Sequence, residues 1–227
     1  MKVRFNSVVK VLGVAAALAC ASTASAQSAG QFTAALGVNQ LTPKVESGDI
    51  SAPALPGTKA DVGRDTQPVL ILNYGLTDNI TLETALGTPY KHKLYGAGAI
   101  AGTGQLGTVE ALPATLFAQY RFGAPNATFR PFVGIGATYA YFMKERGSAR
   151  MTAVTNPGRG VPTTFSIDNK FTYTVQLGTI VNFNEKWFAD VTVNKARLRT
   201  DVQFSTGQTQ HMKLDPVAVI LAVGYKF

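Results

Sequence analysis

The feature that most limits the fold of this chain is a period of two in its hydropathy, running from Phe32 to the last residue. Phe32, Ala34, Leu36 and Val38 alternate with Thr33, Ala35, Gly37 and Asn39. Leu70, Leu72, Tyr74 and Leu76 alternate with Val69, Ile71, Asn73 and Gly75, and after Thr77-Asp78-Asn79 the beat resumes with Ile80, Leu82, Thr84 and Leu86. It recurs over residues 112–122, 129–142, 171–183, 187–193 and 217–227. Side chains of a strand point alternately to two faces, whereas a helix repeats about every 3.6 residues. The pattern predicts eight strands and no amphipathic helix.

The connections alternate too. Thr77-Asp78-Asn79, residues 123–128 and Asn184-Glu185-Lys186 are short, while residues 43–64, 90–107, 143–168 and 204–213 are long. All short turns therefore fall at one end of an up-and-down arrangement and all long loops at the other. Only 15% of the residues are charged, against about 25% in an average soluble domain. Hydrophobic content is ordinary at 46%, which argues against disorder, and the absence of a long apolar run argues against a helical membrane bundle. One face of the strands is apolar, with Leu70, Leu72, Tyr74, Leu116, Tyr120, Val133, Ile135, Val175 and Leu177, and the other carries Gly, Thr, Asn, Gln and most strand charges. A soluble barrel would place the apolar set inside. Aromatic residues decide for lipid. Tyr74, Tyr120, Phe122, Phe183, Trp187, Tyr225 and Phe227 gather at the short-turn end, and Tyr90, Tyr141, Phe171 and Tyr173 near the long loops. Two such girdles match the two interfaces of a bilayer, the competing reading being an aromatic cluster in a soluble core. The expected fold is all-β: an eight-stranded antiparallel up-and-down transmembrane β-barrel with short periplasmic turns and long extracellular loops.

The ends of the chain agree with that fold. Lys2, Arg4 and Lys10 precede an apolar stretch at residues 11–21, followed by Ala24-Ser25-Ala26. This is the layout of a secretory signal peptide. The apolar stretch is too short for an anchoring helix, and Ala17-Leu18-Ala19 lacks the leucine that a lipoprotein site at Cys20 would carry three positions upstream. Residues 1–26 are expected to be cleaved, leaving a barrel at residues 27–227 in the bacterial outer membrane. Cleavage removes the single Cys and lowers the formal net charge of +8 by three. At the other end Val219, Leu221, Val223, Tyr225 and Phe227 occupy alternate positions, so Tyr225 and Phe227 are read as a signal to the outer-membrane assembly machinery.

In this setting several strings resemble the OmpW family of small outer-membrane barrels. They are Thr77-Asp78-Asn79-Ile80, Thr88-Pro89-Tyr90-Lys91-His92-Lys93, Leu112-Pro113 leading to Ala118-Gln119-Tyr120, Arg130-Pro131-Phe132-Val133-Gly134, and Leu214-Asp215-Pro216. Each is weak alone; their order and spacing across the mature chain are specific. The resemblance implies a barrel with a narrow apolar interior that passes small hydrophobic molecules across the outer membrane. Relatives in that family are associated with uptake of alkanes and aromatic hydrocarbons.

Eight strands enclose a space that side chains fill or that holds one small ligand. The inward charges Glu83, Arg121, Arg130, Asp190 and Lys226 all lie near the short-turn end. They are expected to form a salt-bridged plug, with Glu83 near Arg121 and Asp190 near Lys226, since buried ions need partners; a merely wet interior is the alternative. Nearer the long loops the inward face is apolar: Val69, Ile71, Pro89, Pro113, Phe117, Phe142, Ala196 and Leu198. An apolar solute above a charged plug has a sideways exit into the membrane if strand pairing parts beside Pro89, Pro113 and Pro216, which lack the ladder N–H. Prolines that simply end strands are the plainer reading. Catalysis is not expected: His92 and His211 are the only histidines, no His-x-Ser-x-Gly occurs, and neither metal-ligand spacing nor a phosphate loop points to a cofactor. The basic residues Lys91, Lys93, Lys144, Arg146, Arg150, Arg159, Lys195, Arg197, Arg199 and Lys213 collect towards the long loops. Lipopolysaccharide suits them better than nucleic acid, with Lys195, Arg197 and Arg199 on one strand face; solvated loop charge is the alternative. The expected function is passive uptake of a small hydrophobic solute, the alternative a structural or surface-interaction barrel.

Overall fold

A computed structural model describes residues 28–158 and 161–227. The expected signal segment, with Cys20, and Arg159 lie outside the described residues. The elements follow in chain order as β1 (Phe32–Thr42), β2 (Glu46–Ser47), β3 (Thr58–Val62), β4 (Asp65–Gly75), β5 (Ile80–Gly87), β6 (Tyr90–Gly98), β7 (Gln105–Arg121) and β8 (Phe129–Gly147). Then come a short helix α1 (Ala149–Thr155), β9 (Phe165–Ile167), β10 (Lys170–Asn182), β11 (Trp187–Ala196), β12 (Arg199–Phe204), β13 (Thr209–Lys213) and β14 (Val217–Lys226).

The eight period-two segments become the eight barrel strands. They pair antiparallel in the order β4-β1-β14-β11-β10-β8-β7-β5, and β5 returns to β4 to close the ring. Closure pairs each membrane strand on both sides over most of its length, the condition for crossing hydrocarbon with strands. The faces sort as the alternation predicts: Ala35 is 1% exposed and its neighbour Leu36 is 67% exposed. Leu70, Leu116, Ile135, Leu177, Leu221 and Val223 continue that exposed apolar band around the barrel. Water would not tolerate so large a patch; lipid requires it.

Three expectations need correction. The long connections are not open loops. β7 and β8 run for 17 and 19 residues, against about 9–11 needed to cross a bilayer, so they continue as ribbons beyond it. There β3 adds to β6, and β2, β13, β12 and β9 form a second four-stranded sheet. These pieces enclose an outer apolar core around Ile50, Leu94, Leu106, Met151 and Phe165. Secondly, the third connection contains a helix: Ser148 caps α1 by accepting from the N–H groups of Arg150 and Met151, and α1 buries Met151 in that core. Two turns are too few for a helical period to show in sequence. Thirdly, Tyr90 does not join the upper girdle. It is buried, its ring stacked 6.2 Å from that of His92.

Candidate functional site

The lumen changes character along its length. At the periplasmic mouth, residues 28–31 lie across the barrel, held by Gly30 N–H donating to the Gly75 carbonyl at 2.8 Å. Ser28 N–H donates to Asp78 Oδ1 at 2.8 Å, Arg130 donates from Nη1 to Ser28 Oγ at 3.0 Å, and its Nη2 donates to the Asp78 carbonyl. Lys226 is half-buried here, opposite Thr33 in the ladder.

Above the mouth lies a buried layer of charges and amides. Glu83 accepts from Gln176 Nε2 at 2.7 Å on one oxygen and from Gln119 Nε2 at 2.8 Å on the other. Gln119 Oε1 in turn accepts from Arg121 Nε at 3.0 Å and Nη2 at 2.8 Å, and Nη2 also reaches Asn73 Oδ1 at 2.9 Å. The same guanidinium lies 5.8 Å from the centre of the Phe132 ring. Asp190 accepts from Thr192 at 2.5 Å. The expected ion pairs are not made. Among the described residues the ion pairs lie at the extracellular end, such as Lys144–Glu110 and Lys213–Glu46. Strand register is the reason: Glu83 stands opposite Phe117 rather than Arg121, and Asp190 opposite Ala222 rather than Lys226. Gln119 fills the interval and joins the two charges through its amide.

Aromatic rings complete the seal by lying over glycines of the adjacent strand. Phe132 is paired with Gly178, Phe188 with Gly224 and Phe117 with Gly136. A Cβ on Gly136 would stand 2.6 Å from the Phe117 ring, and one on Gly134 would stand 2.8 Å from the Gln176 amide oxygen. Glycine is thus the residue that lets rings and amides reach across so narrow a bore.

Two cavities stand above the seal. The lower, about 120 Å³, is lined by six of the eight residues expected there: Val69, Pro113, Phe117, Phe142, Ala196 and Leu198. Ile71 instead packs below it with Ala35, Phe132, Phe188 and Ile220, and Pro89 is half-buried beside it without lining it. The upper cavity, about 70 Å³, lies within the outer apolar core and shares Leu41, Ala111, Phe142, Leu198 and Pro216 with the lower one. His92 lines the upper cavity, its Nδ1 2.7 Å from the Gly63 carbonyl. Burial is the main effect holding its imidazole below the ordinary value of 6.5, against the opposing pull of Gly63 and Asp65. The other histidine, His211, sits apart on the surface, 2.8 Å from Asp201. Sequence reasoning missed Gln119, Gln176, Asn73, Asn39 and Asn194. Their only signal was polar side chains on the inward beat.

The barrel wall is interrupted beside the lower cavity. β5 pairs with β7 up to Thr84 opposite Leu116, and pairing with β7 resumes only at Tyr90 of β6 opposite Ala111. Between them residues 85–87 stay on β4, and residues 112–115 pair with β8 alone. Leu86, Gly87, Thr88, Leu112 and Pro113, on the two sides of this break, all line the lower cavity.

A closed ring of eight strands, a lipid-facing apolar band and a small lumen sealed at one end define a small outer-membrane β-barrel. The sequence model of the OmpW family matches residues 28–227. Outer membrane protein W of Vibrio cholerae is 31% identical over 222 residues, covering 95% of this chain and 97% of that protein. The crystal structure of the outer membrane protein OprG from Pseudomonas aeruginosa is similar with a TM-score of 0.77 and 26% identity, over 88% of this chain and 97% of that one. The dibenzothiophene metabolism operon protein PahQ of Pseudomonas aeruginosa is 24% identical over 76% of this chain and 77% of its own. The chain belongs to the OmpW family and is a protein of the outer membrane.

Proposed function

We propose that the barrel takes small apolar molecules from the cell exterior and delivers them sideways into the outer membrane. The upper cavity receives the solute, the lower cavity holds it, and the break between β5 and β7 is its exit. The observation that carries this reading is the coincidence of that break with the lower cavity directly above the seal. An apolar molecule moving on towards the periplasm would have to part the Glu83–Gln119–Gln176 bridges and lie among buried charge, which is costly. Moving outward it meets Leu86 and Leu112, then hydrocarbon. Pro113 lowers the barrier to parting because it offers no N–H on that edge. The name of PahQ supports the same class of solute, since dibenzothiophene is a fused aromatic of low polarity.

Residues 1–26 serve in this reading as the cleaved export signal. Tyr225 and Phe227, in edge contact at 5.2 Å at the end of β14, serve as the assembly signal. Lys195, Arg197 and Arg199 are exposed at the outer rim, with Lys195 level with Val175 and Val217. We assign them to lipopolysaccharide phosphates, and assign the protein no catalytic role.

The test is a Pro89→Cys/Leu112→Cys variant closed with a short thiol cross-linker, in a deletion strain given an aromatic hydrocarbon. Uptake should match the unmodified barrel before cross-linking and fall to the level of the deletion afterwards. Uptake that persists through a closed seam would rule out the lateral exit.

A further inference from the structure

We propose that the lower cavity selects apolar solutes that carry one hydrogen-bond donor, and that the side-chain oxygens of Asn39 and Asn194 receive it. This rests on the lumen reading above and narrows its substrate class to neutral molecules such as phenols, small alcohols and N–H heterocycles. Both asparagines line the lower cavity, and Oδ1 of each is buried without a hydrogen-bond partner. Asn39 is 9% exposed. An acceptor that faces a cavity and has no partner among the side chains around it is open to a donor brought by a solute.

The neighbours do not supply that partner. Ile220 and Gln67 stand opposite Asn39, and Ala218 and Gln176 opposite Asn194. Gln67 Nε2 donates to Asp65 and Gln176 Nε2 to Glu83, and Tyr90 on the cavity wall hydrogen-bonds the Asn39 side chain, which leaves the two Oδ1 atoms unpaired. The hydroxyls of Thr115, Thr138 and Thr174 on the same cavity bond one another, at 2.8 Å and 2.6 Å, and none of them is bonded to either asparagine. Glu83 also borders the cavity; one of its oxygens accepts from Gln119 and the other from Gln176, and Arg121, joined to it through Gln119, offsets its charge. The other unpaired buried side-chain atoms among the described residues, on Thr33, Asn73, Arg130, Asn182, Asp190 and Asp215, belong to residues that line neither cavity.

Position on the ring gives the two amides a directional effect. Asn39 on β1 and Asn194 on β11 flank β14. Counting round the barrel, the seam between β14 and β11 is four strands from the break between β5 and β7 in either direction. The wall beside the break is mostly apolar, with Ala85, Leu86, Pro113 and Phe117; the hydroxyls of Thr88 and Thr115 there are bonded to Gln67 and Thr138. A solute that donates to the far wall therefore points its apolar body at the exit and leaves the barrel hydrocarbon first.

Three one-ring probes separate the contributions when titrated onto the full barrel in lipid nanodiscs, with empty nanodiscs correcting for partition. Toluene has no oxygen, 4-methylanisole has an oxygen but no donor, and p-cresol has a donor. p-Cresol should bind about tenfold more tightly than 4-methylanisole, the worth of one hydrogen bond gained. In Asn39→Leu and Asn194→Leu that ratio should collapse towards one. Equal binding of p-cresol and 4-methylanisole to the unmodified barrel, a result that needs no variant, would overturn the donor site while leaving the lumen reading standing. So would a ratio that survives in both variants. Failure of all three probes to bind would overturn the lumen reading together with the donor site.

Discussion

Gln119 has the position of a spacer and the chemistry of a coupler. Its Nε2 gives hydrogen bonds to Glu83 and Gln176 while its Oε1 takes two from Arg121. Hydrogen bonds to charged groups are each worth about 1.5–3 kcal/mol, and stranding a buried charge costs more than a neutral pair. Gln119→Ala should therefore destabilise the barrel by about 3 kcal/mol in urea unfolding from lipid vesicles. It should also raise single-channel ion conductance, because the layer that closes the bore is cut at its centre. An unchanged conductance would mean that the aromatic rings alone form the seal. The charges of this layer were legible in the sequence; their wiring was not. Parity along each strand shows that Glu83 and Arg121 face inward, but which residues stand opposite depends on register. Four residues of offset, from Phe117 to Arg121, exchange an ion pair for an amide bridge through Gln119 midway. Asn39 and Asn194 shared their parity with many threonines, and nothing in a linear pattern marks an acceptor as unpaired.

Among the elements, those that cross the membrane were the readable ones. Each buries one face and offers the other to lipid, so alternation is forced on every residue between the interfaces. Beyond the bilayer that pressure relaxes. β2, β3, β9, β12 and β13 run for two to six residues, too short for a period to show. β6 continues the barrel outward, and His92 on it has a consequence for acid conditions. Its imidazole is held below the usual value by burial. In the window just below about 6.5, the unfolded strand binds a proton that the folded one refuses. Stability of the outer end consequently rises with pH through that window, and is lost as pH falls through it. Hydrogen exchange at β3 and β6, corrected for intrinsic rates, should be faster near pH 5.5 than near pH 7.5, and the difference should disappear in His92→Gln. Equal protection at both pH values would show that this histidine does not set the stability of the outer end.

At the scale of the whole molecule the barrel is polarised: seal at the periplasmic end, cavities above it, and a basic rim outside. Each cation near an anionic surface contributes about 1 kcal/mol. Replacing Lys195, Arg197 and Arg199 together by Gln should make co-purified lipopolysaccharide markedly easier to strip, as read by native mass spectrometry. Retention equal to the unmodified protein would return those residues to ordinary solvated loop charge. Rim and seal also differ in their response to dissolved salt. The rim and its exposed ion pairs stand in water, where ions screen charge over about 10 Å at moderate concentration. The bridges from Glu83 through Gln119 to Arg121 are buried and pass through a neutral amide, so ions in solution have little purchase on them. With the rim bound to lipopolysaccharide as proposed, a move from fresh to brackish surroundings would weaken that contact and leave the buried layer unchanged. Tightness against leakage is thereby separated from the salinity of the habitat, which a plug of bare ion pairs open to water could not achieve.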